Sequence, residues 1–74
     1  MFETSHNYKV IEVIGTSEES WEAAAKSVIE EAASHIQDLR IAEVVEQDAK
    51  IEEGKIVAYR TKIRLSFKYH PEID

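Results

Sequence analysis

Residues 15–21, Gly15-Thr16-Ser17-Glu18-Glu19-Ser20-Trp21, join an apolar strand directly to a helix, and this junction limits the fold more than any other stretch. Gly15 permits a sharp exit from the strand. Thr16 or Ser17 can accept a hydrogen bond from an orphan helix N–H, and Glu18 and Glu19 suit the positive end of the helix dipole. Beyond the junction, Trp21, Ala24, Ala25, Val28, Ile29, Ala32, Ala33 and Ile36 keep the i, i+3, i+4, i+7 spacing over about four turns. One face of a single helix, spanning about residues 17–37, therefore requires cover.

The rest of the chain reads as strand. Residues 8–14 are apolar on both faces, with Tyr8, Val10 and Ile14 on one and Ile11 and Val13 on the other. Residues 39–51 form a long second strand, β-branched early and polar later. The segment Glu52-Glu53-Gly54-Lys55 supplies a turn in which Gly54 takes a positive φ. Residues 56–69 alternate most cleanly, with Val57, Tyr59, Thr61, Ile63, Leu65, Phe67 and Tyr69 on one face and Arg60, Lys62, Arg64 and Lys68 on the other. Pro71 stops that strand just past its end. The fold class is α+β: a β-α-β-β chain whose three-stranded antiparallel sheet lies around one helix, in a single domain over residues 1–74 with loose termini at 1–7 and 70–74.

A strand of about twelve residues approaches 40 Å, whereas a twenty-residue helix spans about 30 Å and is only about 10 Å wide. The uncovered sheet must meet other copies in a closed homo-oligomer. Size points the same way, because a chain of 74 residues with no cysteine lacks both a large core and a disulfide staple. Fifteen acidic against nine basic residues, a net charge of −6, argue against nucleic acid as a partner. The N-terminal residues lack a signal-peptide pattern and no stretch is long and apolar enough to span a membrane, so the expectation is a cytoplasmic protein with no membrane partner.

Catalytic chemistry finds little support, and the chain is expected not to be an enzyme. His6, His35 and His70 have no metal-ligand spacing, and no metal-ligating set is assigned. The pairs Glu18/Glu19, Glu30/Glu31 and Glu52/Glu53 read as a helix start, a solvated helix face and a turn. Residues 46–54 do not follow the ligand order of a helix-loop-helix calcium site, although calcium bound between subunits stays open. Trp21, at the head of the helix stripe, reads as core or interface packing ahead of ligand stacking. The basic row of the last strand has two readings: arginine forks for a phosphate-bearing ligand, or cross-strand pairing with Glu43, Glu46 and Asp48.

In their order along the chain, the first strand, the 15–24 junction, the segment Ile41-Ala42-Glu43-Val44-Val45-Glu46-Gln47 and the last strand resemble a dodecin over residues 8–69. The resemblance implies a homododecamer, a hollow shell of twelve copies with cubic symmetry. It also implies a small-molecule ligand: flavin, as riboflavin or its phosphate FMN, held in pairs at two-fold interfaces for storage and shielding. The implied cofactor-binding residues are Ile41, Glu46, Gln47 and Arg60. Two of them depart from the flavin-binding pattern. Ile41 stands where those dodecins place a ring-stacking tryptophan, and Arg60 where they place a glutamine against the other ring face. Losing the aromatic partner forfeits about 0.5–1.5 kcal/mol of stacking, so flavin binding is expected to be weakened. Some members of the family bind calcium, which makes calcium the alternative ligand and leaves a purely structural shell as a third reading.

Overall fold

The computed structural model describes residues 7–69, so the expectations for His6, His70, Pro71 and most of both termini fall outside the described residues. The order of elements is β1 (Tyr8–Ser17), α1 (Trp21–Ala33), β2 (Leu39–Glu52) and β3 (Lys55–Lys68). The three strands form one antiparallel sheet in the order β1-β3-β2, with the longest-patterned strand in the centre. The Tyr69 amide donates to the Asn7 carbonyl at 2.9 Å and closes the end of the β1–β3 pair.

Both ends of the helix depart from the expected positions. β1 runs on through Gly15, Thr16 and Ser17 because Thr61, Arg60 and Tyr59 of β3 offer them ladder partners. The N-cap is Ser20, whose hydroxyl accepts from the Ala23 amide, while Ser17 Oγ accepts from Glu19 N in the preceding turn. Gly15 therefore serves close packing instead of a bend. A Cβ there would run into the Ala24 carbonyl oxygen and lie 2.9 Å from Val28 Cγ1, so helix and strand touch backbone to backbone. At the other end the helix stops at Ala33. The Ser34 hydroxyl bonds back to the Glu31 carbonyl, a local bond that competes with a further helical turn, and Asp38 then takes φ 62°. His35 and Ile36 still close onto Ala32, which keeps Ile36 on the apolar side after the helix has ended.

The hairpin follows expectation, with Glu53 at φ 53° and Gly54 at φ 76°. Positive φ at both central residues matches the turn to the right-handed twist of the strands, and Gly54 lowers its cost. The core is small. Ala24, Thr61, Ile63 and Leu65 are fully buried, with Ala58 close behind. Thr61 is satisfied by donating its hydroxyl to the Trp21 carbonyl at 3.0 Å. The helix packs on β1 and β3 and barely reaches β2. Strands of 14 residues span about 46 Å against about 20 Å for a helix of 13 residues, so the hairpin overhangs its cover by more than the sequence suggests. Ile41, Val44, Ile51 and Ile56 are each more than half exposed as a result, an amount of uncovered apolar side chain that fits the expected association of copies.

Candidate functional site

The face of the sheet turned away from the helix carries the charged chemistry. In β3 the odd-numbered residues from Thr61 to Leu65 are buried beneath the helix, so Arg60, Lys62, Arg64 and Ser66 point outward. From β1 the register sets Thr16 beside Arg60, Ile14 beside Lys62 and Glu12 beside Arg64. From β2 it sets Asp48 beside Arg60, Glu46 beside Lys62, Glu43 beside Arg64 and Ile41 beside Ser66. Strict alternation would not put Glu43 and Glu46 on one face. The register shifts between Val44 and Glu46, leaving Val45 as an extra residue, and this bulge exchanges odd for even numbers on the outer face.

Arg60, Lys62 and Arg64 of the row each meet an acid. Arg60 grips Asp48 with both arms of its fork, Nε to Oδ1 at 2.7 Å and Nη2 to Oδ2 at 2.9 Å. Lys62 Nζ lies 3.7 Å from Glu46. Arg64 bridges the sheet, donating to Glu12 at 2.8 Å on one side and reaching Glu43 at 3.4 Å on the other. The Arg60 hydrogen bonds hold the Asp48 carboxyl below its ordinary 3.8, and the same bonds raise the Arg60 guanidinium. Arg64 is raised by Glu12 first and Glu43 second. Of the two readings of the basic row, cross-strand pairing is the one this arrangement bears out.

The four candidate site residues do not meet within one protomer. Ile41, Glu46 and Arg60 share the outer face, with Glu46 next to the Arg60–Asp48 pair. Ile41 sits beside Ser66, six residues along β3 from Arg60, or about 20 Å away. Gln47 lies on the other side of the sheet, opposite the buried Thr61, so Glu46 and Gln47 face opposite ways within one protomer. Ile41 offers a 60% exposed aliphatic side chain and no ring face. Among the described residues, no three Asp, Glu or His side chains come close enough to hold a metal ion. His35, the one histidine in the described stretch, is exposed past the helix end.

Sequence reasoning passed over Asp48 as more than one of several pairing acids. Its carbonyl accepts the Trp21 indole N–H at 2.9 Å, and Trp21 sets its ring edge-on against Tyr59 at 4.9 Å and 73°. Trp21 is thus a packing residue that also fixes the backbone of β2. The signal available in the sequence was the single tryptophan itself, whose N–H seeks an acceptor when half-buried.

A family model for dodecins matches residues 8–70. The calcium dodecin of Mycobacterium tuberculosis is 44% identical over 64 residues, which cover 86% of this chain and 90% of that protein. Its crystal structure, of a calcium-chelating antigen with a novel calcium-binding site, superposes with a TM-score of 0.78 at 45% identity, over 92% of this chain and 97% of the other. The dodecin of Streptomyces coelicolor gives a TM-score of 0.86 at 26% identity, over 95% and 100% of the two chains. Dodecins are small binding proteins that form homo-oligomers, and no catalytic family is indicated. Among the described residues, no helix is long and apolar enough to cross a membrane.

Proposed function

The chain belongs to the dodecin family, and from that footing we propose that it forms a dodecameric shell that binds calcium in place of flavin. The observation that carries this reading is the loss of both groups that would clasp a flavin ring. An aliphatic Ile41 stands in place of the aromatic face, and Arg60 has both arms closed on Asp48. The residues present therefore do not fit a tightly held flavin. The resemblance at 44% identity to a protein named for calcium supports the other ligand.

Calcium takes six to eight oxygen ligands, more than a single protomer groups together among its described residues. Carboxylates from more than one copy would have to combine, so the ion would act as a link between subunits as well as a cargo. Calorimetric titration of chelator-treated, assembled protein with calcium, and separately with riboflavin, tests the proposal. The expected result is saturable calcium uptake at a simple fraction of one ion per chain, a higher unfolding temperature with the ion bound, and weak or no heat with riboflavin. Freshly purified protein that is yellow, with riboflavin bound tightly and calcium not at all, would overturn it in favour of flavin storage.

A further inference from the structure

Beside the Arg60–Asp48 pair the outer face opens into a cleft of about 410 Å³ lined by Asp48, Ala49, Lys50 and Arg60. Two cations border it, and each is matched by a carboxylate. Arg60 holds Asp48 through two short, parallel hydrogen bonds, and Lys50 Nζ lies 3.5 Å from Glu52. A guanidinium with a free fork would present paired donors that suit a phosphate group two oxygens at a time. Here those same donors are spent on Asp48.

The backbone that carries the carboxylate is also held in place. Asp48 sits directly across from Arg60 in the β2–β3 register, so the two side chains share one face of the sheet. Behind it the Trp21 indole N–H anchors the Asp48 carbonyl, and the Thr61 hydroxyl anchors the Trp21 carbonyl in turn. This run of contacts ties the position of Asp48 to the buried centre of the fold. Swinging Arg60 away to meet a ligand would leave an unpaired carboxylate beside the incoming anion, which adds repulsion to the lost bonds.

We propose that Asp48 is the residue that sets the ligand class of this cleft, closing the Arg60 fork and turning away phosphate-bearing molecules, phosphorylated flavin among them. Neither the basic partner alone nor the shape of the cleft decides the outcome; the acid does. The inference stands on the geometry of the pair and holds whether or not the shell takes calcium, so its failure and that of the calcium reading are separable.

The test is an Asp48→Ala variant, titrated as the intact oligomer with FMN and with riboflavin by fluorescence quenching, alongside the unaltered protein. The two ligands differ by one phosphate. FMN affinity is expected to rise about tenfold or more while riboflavin changes less than about threefold, as a freed charge-assisted hydrogen-bonding group would give. Adding Arg60→Ala to the variant should remove the gain, and inorganic phosphate at millimolar concentration should compete with FMN only in the single variant. Asp48→Asn, which keeps the size of the side chain and drops its charge, provides the same comparison should Asp48→Ala fail to assemble, with a smaller gain expected for FMN. Equal changes for the two ligands, or no change in either variant that assembles, would overturn the proposal.

Discussion

The two faces of β3 are built from the same fourteen residues and do opposite work. On the helix side, Thr61, Ile63 and Leu65 are fully buried, and the glycine at position 15 lets β1 close on Ala24 and Val28 of the helix. On the other side, Arg60, Lys62 and Arg64 stand about half in solvent and meet acids from both flanking strands. Burial of aliphatic carbon stabilises the first face, because each buried methylene removes apolar surface from water. Exposed ion pairs contribute little to stability. What they contribute is register and choice: Arg64 recognises Glu12 on one side and Glu43 on the other, and a strand slipped by one residue would bring none of these partners together. The lesson is that the inner face supplies the burial that folds the chain and the outer face supplies paired charge and register.

That division can be broken first at the inner face. Leu65→Ala removes a fully buried side chain from the centre of the sheet and is expected to cost about 2–5 kcal/mol, read by denaturant unfolding of the assembled protein. A loss no larger than that of an outer-face variant would mean that the small core is not where stability resides. Trp21→Phe probes the link between the faces, since it keeps a ring against Tyr59 and deletes the N–H that holds the Asp48 carbonyl. A loss of about 0.5–1.5 kcal/mol is expected, the worth of one ordinary hydrogen bond.

The smallest effect belongs to the outer face and is best seen through pH. The Asp48 carboxyl is held below 3.8 in the folded chain, so the stability it lends is fully present above about pH 4 and is lost as the pH falls through the lowered folded value. Comparing acid unfolding of the unaltered protein with that of Asp48→Asn should show a difference that shrinks to nothing at the acid end and that high salt diminishes throughout. A difference that grows on acidification would reverse the sign of the argument and show the carboxyl to be strained instead of held.

The order of the elements, the hairpin turn and the inward side of β3 were legible in the sequence, because hydrophobic period and turn chemistry are local signals. The helix limits were not. Ser17 and Ser20 are equally good caps in isolation, and only the ladder partners at Tyr59, Arg60 and Thr61 keep the backbone extended past Ser17. The pairing of Arg60 with Asp48 was foreseen as one of two readings, and register decides it. The placement of Gln47 was not legible, since no feature of Val44-Val45-Glu46 announces a bulge and its consequence appears only when the partner strand is aligned.

The extra residue at Val45 changes the reading frame of β2. From Ile41 to Val44 odd numbers face out; from Glu46 to Lys50 even numbers do. Pairing Val45 in strict alternation, with no bulge, would leave the composition unchanged, yet it would turn Glu46 and Asp48 inward and bring Gln47 out to the charged row. Any comparison of β2 with another strand, position by position, therefore has to be phased separately on either side of Val45, or it will compare a lining residue with a core residue and find a difference in function where there is only a difference in count.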